Sequence, residues 1–388
     1  MNPTEPSSNI ALVLFNYFPY GGLQKNFLNI AKGLLAEGHK LTVLTGEWQG
    51  EPLDGVELIL LPRDGLSNAR KNRCFAQALK AHLQSCRYDL VFGFNKLPGL
   101  DLYYCADTCF ATKAYEQRGG LYRMTPRARL SLAYERAVFN SDATTEILLL
   151  SDKEGEAFKH YYHTPEKRFH RVPPGIGKDR IYHEDSKSLG AKLRASLDIS
   201  DDARVILFIG AYFKTKGLDR LLEAFAALPT ELRSKTPVLI VGQDKRLDDY
   251  VSRADSMGLA TNCHFLGQRS DIPSCLFASD LLVHPARLEN TGNVLLEAAV
   301  AGLPSICTSV CGYAPYIERN EIGQVLEEPF KVEDLTVALA DWLTKDLESP
   351  AALSQRFVDK EEVFSRQAFI LDVVKNMLQR SAPSKVQA

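Results

Sequence analysis

Short apolar runs alternate with amphipathic stretches over the first part of the chain. Residues 9–15 and 89–94 are runs of strand length without polar alternation, which is typical of parallel strands that are buried on both faces. Residues 40–45 and 56–61 predict two further strands, and the apolar spacing over residues 23–37 predicts a helix. Strands that alternate with helices in this way predict a doubly wound parallel sheet.

The same pattern starts again near residue 204. The predicted strands of this second half are residues 205–210, 238–242, 264–267, 281–284, 304–307 and 323–326, and a helical pattern follows from about residue 331. Between the halves, a Pro-Pro-Gly-Ile-Gly run at residues 173–177 predicts a domain boundary, because it is a rigid break before a polar stretch. We expect two α/β domains, residues 1–175 and 176–360, with a C-terminal helix and tail over 361–388.

Composition and charge narrow the possible classes of function. The chain is 45% hydrophobic and 24% charged, as soluble globular enzymes are, and its net charge of −2 gives no basic footprint for nucleic acid. It has no run of about 20 apolar residues that could span a bilayer. The first eight residues are polar and lack the basic start of a signal peptide, so we expect a cytoplasmic protein.

The eight cysteines fit neither a disulfide framework nor a zinc site. Three residues separate Cys105 from Cys109 and Cys307 from Cys311, but no second close cysteine pair or histidine pair completes a set of metal ligands. We therefore expect buried, reduced thiols and no bound metal.

The stretch from residue 286 to residue 302 carries the strongest candidate chemistry. Glu289 and Glu297 flank a small polar turn, Asn290-Thr291-Gly292-Asn293, directly after the strand predicted at 281–284. Open α/β sheets bind ligands at the carboxyl ends of strands, and a helix that begins near Gly292 would offer free amide groups to a phosphate. Glutamates are also common in loops and first helical turns for electrostatic reasons alone, so spacing leaves both interpretations open.

Three other positions combine a strand end with polar groups. Gly21 and Gly22 follow the first strand and could form a nucleotide-binding turn, although the Gly-x-Gly-x-x-Gly spacing of nicotinamide enzymes is absent; the alternative is a plain tight turn. Lys214 and Lys216 follow the first strand of the second half, where they are either an anion clamp or ordinary solvated lysines. Asp107 follows an aromatic strand, where it could bind a sugar hydroxyl or cap the next helix.

Residues 110–139 are basic and aromatic. Six cations face only Glu116 and Glu135, with leucines and aromatic residues between them; the cations are Lys113, Arg118, Arg123, Arg127, Arg129 and Arg136. This mixture suits a segment that lies on an anionic lipid surface. A solvated basic helix face is the equal alternative.

Several longer motifs occur in one order along the chain. They are Tyr-Phe-Pro-Tyr-Gly-Gly-Leu-Gln at 17–24, Gly-Phe-Asn-Lys-Leu-Pro-Gly-Leu-Asp at 93–101, Lys-Gly at 216–217, Val-Gly-Gln-Asp-Lys at 241–245, Glu-x7-Glu at 289–297 and Val-Cys-Gly-Tyr-Ala at 310–314. Together they resemble the retaining nucleotide-sugar glycosyltransferases of the family 4 type, in particular those of the lipopolysaccharide core. The resemblance covers residues 9–330 and continues more loosely to 375.

The resemblance implies a GT-B fold, in which two Rossmann-like doubly wound domains face each other across a cleft. Residues 1–175 would bind the acceptor, residues 176–360 the nucleotide sugar, and the segment 361–388 would pack back on the first domain. The implied reaction transfers a hexose, first of all glucose from UDP-glucose, to a heptose of the lipid A-core in an alpha-1,3 linkage with retention and without metal or other cofactor. The implied location is the inner face of the inner membrane, with residues 110–139 on anionic lipids. A UDP-N-acetylhexosamine donor and a non-catalytic nucleotide-sugar binder are the alternatives.

The resemblance also assigns roles to residues. Glu289, Asp107 and Lys216 would be catalytic, with Glu289 near the donor sugar and Asp107 near the hexose or acceptor. The remaining donor contacts would be Glu297 to ribose, Arg269 to uracil, the segment Asn290, Thr291, Gly292, Asn293 and Val294 to sugar and phosphate, and Gly21, Gly22, Lys214, Lys216 and Arg180 to the pyrophosphate. The membrane contacts would be Lys113, Arg118, Arg123, Arg127 and Arg129.

The chain departs from the family pattern at three places. Gly210-Ala211 stands where such enzymes commonly have Gly-Arg, so the usual phosphate arginine is missing and Lys214 is its candidate replacement. Asn26 occupies a position that is Asp in familiar relatives, so we assign it no acid or base role. Asn290 and Thr291 precede Gly292 in place of two small residues, which leaves an N-acetylhexosamine donor open.

Overall fold

The computed structural model describes residues 7–19 and 22–381, and the chain divides into two compact units. Unit 1 comprises the residues up to Pro173 together with those from Ser365 onward, and unit 2 comprises Pro174–Phe364. The domain limits expected from the sequence were 175 and 360.

Unit 1 contains a parallel sheet with helices on both faces. Its strands are β1 (Asn9–Leu14), β2 (Lys40–Thr45), β3 (Val56–Leu60), β4 (Leu90–Gly93), β5 (Leu102–Cys105), β6 (Glu146–Leu149) and β7 (Phe169–Arg171). They are hydrogen-bonded in the order β3-β2-β1-β4-β5-β6-β7. Successive side chains of β1 enter opposite core clusters, Leu12 on one face and Val13 on the other. This two-sided burial explains why the strand reads as a continuous apolar run.

The helices of unit 1 connect these strands. They are α1 (Gly22–Ala36), α2 (Asn68–Ser85), α3 (Phe110–Thr112), α4 (Gly120–Arg123), α5 (Pro126–Phe139) and α6 (Asp152–Tyr162), with a π-helical turn at Lys113–Gln117 and a 3-10 turn at Glu166–Arg168. Ser67 and Thr125 cap α2 and α5 by accepting hydrogen bonds from backbone amides of the first turn. The connection from β4 to β5, residues 94–101, contains no helix.

Unit 2 repeats this architecture on a smaller scale. Its strands are β8 (Ile206–Ile209), β9 (Val238–Val241), β10 (Cys263–Gly267), β11 (Leu281–His284), β12 (Ser305–Thr308) and β13 (Gly323–Leu326). They form a parallel sheet in the order β10-β9-β8-β11-β12-β13. The helices are α7 (Ser186–Ser196), α8 (Phe213–Lys216), α9 (Leu218–Ala226), α10 (Thr230–Arg233), α11 (Leu247–Ser256), α12 (Ile272–Phe277), α13 (Asn293–Val300), α14 (Ala314–Arg319), α15 (Val332–Thr344) and α16 (Pro350–Lys360), with a 3-10 turn at Lys178–Arg180.

The last helix, α17 (Arg366–Ser381), belongs to unit 1. Ile370 and Val374 are buried in the same cluster as Leu34 of α1, and the Gln367 side chain donates a hydrogen bond of 2.9 Å to the Asn29 carbonyl oxygen.

The predicted fold class, two doubly wound parallel α/β sheets, is confirmed. None of the helices in the described ranges is long and apolar enough to cross a membrane.

Candidate active site

The loop between β11 and α13 lies at the point where the strand order of the second sheet reverses. The chain proceeds from β8 to β9 on one side, whereas β11 pairs with the other side of β8. Loops that follow such neighbouring strands flank the usual ligand site of an open α/β sheet. The residues after β8 and β11 therefore form the candidate ligand site of unit 2.

Backbone contacts hold the β11–α13 loop in place. The Thr308 hydroxyl donates a hydrogen bond of 2.7 Å to the Ala286 carbonyl oxygen, and the Tyr313 amide donates one of 2.8 Å to the Thr291 carbonyl oxygen. Gly292 has a φ of +81°, a left-handed conformation that glycine adopts without strain, and it is the residue before α13. The loop thus delivers the chain to the start of α13, as the sequence predicts.

Glu289 is the central carboxylate of this loop. Its Oε2 lies 2.5 Å from Nζ of Lys216 and 3.2 Å from Nε2 of His284. The Glu289 side chain is 14% exposed, and that of His284 is 1% exposed. Burial alone would raise the pKa of Glu289, but the hydrogen bond from His284 and the charge of Lys216 outweigh it and hold that pKa at about 2. Glu289 is therefore an anion with an exposed edge and two fixed donors.

Close backbone packing brings Lys216 to this position. Gly217, directly after α8, has a φ of +83°, and a Cβ there would lie 2.0 Å from the Pro285 carbonyl oxygen. The aliphatic part of the Lys216 side chain packs against Gly210 so closely that a Cβ at that glycine would lie 2.9 Å from Cγ of the lysine. Both glycines let the segment from the end of β8 to the end of α8 approach the β11–α13 loop, and the Lys216–Glu289 pair joins this segment to that loop.

Lys214 makes contact with a different carboxylate. Its Nζ lies 2.5 Å from Oδ2 of Asp219, and Arg287 holds the two Asp219 oxygens at 2.6 and 3.0 Å. Burial raises the pKa of Asp219, but the hydrogen bonds from Arg287 and Lys214 outweigh it and lower the pKa below its ordinary value. The structure thus brings Lys216, and not Lys214, to Glu289. The idea that Lys214 replaces the phosphate arginine remains a prediction.

Glu297 lies in α13 and forms an ion pair that the sequence did not indicate. Oε1 of Glu297 lies 3.1 Å from Nε of Arg180, whose Nη1 lies 2.7 Å from Oδ1 of Asp179. The side chain of Arg180 is buried and that of Glu297 is 22% exposed. Arg180 was expected to meet a pyrophosphate, whereas here it neutralises the carboxylate that was expected to meet the ribose.

The start of α13 carries a buried polar atom with no partner. Oδ1 of Asn293 is buried and has no hydrogen-bond partner in the described part of the chain. Val294 next to it packs against the core cluster of unit 2. The first backbone amides of α13 and the side-chain amide oxygen of Asn293 therefore remain able to bind a ligand.

Arg269, the expected uracil contact, follows β10 and forms a bidentate pair with Asp271 at 2.8 and 2.6 Å.

Asp107 of unit 1 is exposed and follows β5. Glu135 fixes the loop that follows Asp107. Its carboxylate is fully buried and pairs with the Lys96 ammonium. It also accepts hydrogen bonds of 2.8 Å from the backbone amides of Phe110 and Ala111. Lys96 donates a further hydrogen bond of 2.8 Å to the Thr108 carbonyl oxygen. The sequence interpretation counted Glu135 only as a surface charge of the basic segment, and no sequence signal marks its burial.

Of the two glycines predicted to contact the pyrophosphate, Gly21 lies outside the described residues, and Gly22 is exposed at the start of α1.

The basic segment, residues 110–139, forms α3, the π-helical turn, α4 and α5. Within it, Arg118, Arg123, Arg127 and Arg129 are exposed and Lys113 is half-buried. Leu121 and Met124 between them are 85% and 61% exposed.

The cysteines are thiols rather than disulfides in the residues that the structure describes, and Cys105, Cys109, Cys307 and Cys311 are buried. No cluster of three or more potential metal-ligating side chains occurs within residues 7–19 and 22–381.

Both units are doubly wound, and in unit 2 the Lys216–Glu289 pair and the start of α13 lie where the strand order reverses. This arrangement is typical of two-domain nucleotide-sugar glycosyltransferases. Residues 191–358 match the family of group 1 glycosyl transferases, and residues 20–180 match glycosyltransferase family 4. The lipopolysaccharide glucosyltransferase WaaG of Escherichia coli (strain K12) is 38% identical over 370 residues, which cover 94% of this chain and 98% of WaaG. The chain therefore belongs to the same glycosyltransferase family as WaaG and is an enzyme of that class.

Solved structures agree with this assignment. A crystal structure of WaaG, described as a glycosyltransferase involved in lipopolysaccharide biosynthesis, aligns with a TM-score of 0.86 at 38% identity and covers 94% of this chain and 99% of its own. Anabaena HepE, solved in complex with UDP and glucose, aligns with a TM-score of 0.69 at 17% identity and covers 95% of this chain and all of its own. At that identity HepE shows only that the fold is shared.

Proposed function

We propose that this chain transfers a hexose, with glucose from UDP-glucose as the first candidate, to a heptose of the lipopolysaccharide inner core. The linkage is alpha-1,3, the anomeric configuration is retained, and no metal or other cofactor takes part. The observation that carries the proposal is the 38% identity to WaaG over almost the whole of both chains. The Lys216–Glu289 pair supports it, because it supplies a cation and an anion at one strand-end site.

In this proposal Lys216 stabilises the departing pyrophosphate. An ammonium group has three donors, and Glu289 at 2.5 Å occupies one of them, so the others can bind phosphate oxygens. The amides at the start of α13 add the positive end of the helix dipole. Because Glu289 and the packing of Gly210 hold the Lys216 side chain before substrate arrives, the cation needs little reorganisation during the reaction.

Glu289 acts on the sugar side of the same bond. With a pKa of about 2 it is ionised at neutral pH and is unsuited to act as a general acid. As a fixed anion it stabilises the positive charge that develops at the anomeric carbon. The bond from that carbon to the phosphate oxygen breaks, the acceptor oxygen bonds to the same face, and the acceptor proton passes to the departing phosphate oxygen.

The other contacts follow the family resemblance. Glu297 binds the ribose hydroxyls, with Arg180 beside it as the neutralising charge, and Arg269 lies near the uracil. Asp107 of unit 1 binds the acceptor or the transferred hexose. The basic segment, residues 110–139, binds anionic lipids and keeps the enzyme at the cytoplasmic face of the inner membrane. Its exposed arginines and leucine support that part of the proposal.

A donor and acceptor screen tests the proposed reaction. The purified chain is incubated with deacylated core acceptor and with UDP-glucose, UDP-galactose, UDP-N-acetylglucosamine or UDP-N-acetylgalactosamine, and released UDP is measured with and without EDTA. We expect turnover with UDP-glucose that EDTA does not change, and an alpha-configured product by NMR. Turnover only with an N-acetylated donor would replace glucose in the proposal, and donor binding without any turnover would identify a non-catalytic binder.

A further inference from the structure

The helix layer on one face of the unit 1 sheet has a gap. Parallel neighbouring strands are usually joined by a crossover that contains a helix, but β4 and β5 are joined by residues 94–101 without one. Helices α2 and α5 flank the missing position and share a core cluster on that face through Phe75 and Phe139. Tyr134 of α5 donates a hydrogen bond of 3.2 Å to the Asn72 carbonyl oxygen of α2, which bridges the two helices.

A groove of about 770 Å³ occupies the gap. Its apolar lining comes from α2, β4, the helix-free connection and α5, and includes Ala76, Leu83, Val91, Pro98 and Leu130. This volume falls within the range of small-molecule sites in proteins. An apolar groove of this size suits an apolar ligand group.

The rim of the groove is positively charged. Arg73 and Lys80 of α2 and Arg87 after it line the groove, and no carboxylate does. All three side chains are exposed, and none has an ion pair in the part of the chain that the structure describes. Arg73 and Lys80 are seven residues apart, which is about two helical turns, so they lie on one side of α2. The occupant must therefore carry negative charge beside its apolar part.

The groove is distinct from the candidate active site. All of its residues belong to unit 1. Of the groove residues, Tyr88 precedes β4, and Pro98 and Gly99 precede β5, so the groove reaches the amino ends of both strands. Asp107, in contrast, follows the carboxyl end of β5. Sugar acceptors are expected at the carboxyl ends.

We propose that this groove binds one molecule of an anionic phospholipid from the membrane. An acyl chain lies along Leu83, Val91 and Leu130, and the phosphate head group meets Lys80 and Arg87. Snug burial of each methylene group stabilises the complex, and the charge-assisted contacts select the anionic head group. The site is independent of the proposed transfer reaction, which uses other residues.

The test uses the full chain and lysophosphatidylglycerol with a 14-carbon chain, below its micelle concentration, with lysophosphatidylcholine of the same chain length as the neutral comparison. Calorimetry measures affinity. Location is read from alkylation of Cys86, which lines the groove and is half-buried, against Cys74 on α2, which does not line it. We expect the anionic lipid to bind and to slow alkylation of Cys86 but not of Cys74, and the neutral lipid to bind at least about tenfold more weakly.

Two variants and a control separate the groove from general charge effects. Lys80→Glu/Arg87→Glu changes exposed side chains and should weaken binding at least about tenfold, and Gln77→Trp should block the groove sterically. Lys32→Glu reverses an exposed charge on α1 outside the groove and should bind as wild type. The proposal is overturned if wild type does not bind, if both lipids bind equally, or if the groove variants bind as wild type. A partner helix in place of a lipid would give the first of these results.

Discussion

Nζ of Lys216 lies 2.5 Å from Oε2 of Glu289, and the pair joins the chain segments that follow two neighbouring strands, β8 and β11. The two side chains are 22% and 14% exposed, so each is largely shielded but keeps an open edge. An ion pair in this setting is stronger than one on the surface, because fewer water molecules compete for its charges. The pair fixes both groups before a substrate binds, and the first predictions concern it.

Glu289→Gln should lower kcat by roughly 100-fold, because the amide keeps the shape of the side chain but removes the charge that faces the anomeric carbon. The Kd for UDP should stay within about threefold of wild type, since Lys216 remains to bind phosphate. Initial rates of UDP release and calorimetry with UDP measure the two quantities. Glu318→Gln, an exposed change on α14, is the control. Wild-type turnover in Glu289→Gln would remove Glu289 from the mechanism.

The same pair predicts how stability depends on pH. The folded-state pKa of Glu289, about 2, lies below its ordinary value of 4.5, so its ionisation stabilises the folded state above pH 4.5. That contribution is lost as the pH falls toward 2. At pH 7 it is roughly 3 kcal/mol, and it should decrease by about 1 kcal/mol by pH 3.5. Urea unfolding of wild type and Glu289→Gln at pH 7, 5, 4 and 3.5 measures this, and a difference between the two proteins that grows toward acid would contradict it.

Glu297→Ala should weaken UDP binding by roughly 10- to 100-fold, because the ribose loses charge-assisted hydrogen bonds. Its effect on kcat at saturating donor should be small, because Glu297 does not contact the reacting atoms in the proposed mechanism. Calorimetry should also show that uridine binding falls by a similar factor, while affinity for inorganic pyrophosphate is retained. A variant with normal KM and low kcat would instead place Glu297 at the reaction centre.

The sequence was sufficient to predict the fold because buried parallel strands leave long apolar runs. The predicted positions of the strand ends were less accurate, because contacts between residues distant in sequence determine where a strand ends. For example, β1 ends at Leu14, and the next amide, of Phe15, donates a hydrogen bond of 2.8 Å to the Asn95 side chain. That contact spans 80 positions of sequence, and no local pattern indicates it.

The candidate site was predictable only in part, for a similar reason. Strand positions placed Lys216 and Glu289 each after a strand, and the structure shows that these strands are neighbours and brings the two side chains together. The partners of the other charges depend on tertiary packing: Lys214 meets Asp219, and Arg180 meets Glu297. The burial of Glu135 was also not predictable, because a glutamate next to Arg136 in a basic segment is normally a solvated charge, and its partner Lys96 lies 39 positions away in sequence.

Lys96→Met should destabilise unit 1 by about 3–5 kcal/mol, because it leaves the buried carboxylate of Glu135 without its cation. The double variant Lys96→Met/Glu135→Leu should recover part of this loss, since it removes the buried charge as well. Urea unfolding followed by circular dichroism measures both. If the single variant is as stable as wild type, the Lys96–Glu135 pair does not hold the loop after Asp107.

Arg118→Glu/Arg123→Glu should weaken binding to anionic liposomes by roughly 30-fold or more, because each basic residue near such a surface contributes about 1 kcal/mol. Both arginines lie over aromatic rings, Arg118 at 5.8 Å from the Tyr122 centroid and Arg123 at 4.8 Å from that of Tyr115. Their charges are therefore presented beside exposed apolar groups such as Leu121, which can enter the lipid interface.

Co-sedimentation with phosphatidylglycerol-containing and pure phosphatidylcholine liposomes measures this effect. Lys187→Glu/Lys192→Glu is the matched control, since it reverses two exposed charges on α7 of unit 2. We expect the control to sediment as wild type and the arginine variant to remain in the supernatant, with unchanged turnover on the deacylated, water-soluble acceptor. Equal loss in both double variants would mean that net charge, rather than residues 110–139, governs the attraction. Binding that ignores lipid charge would instead remove electrostatics from the membrane proposal altogether.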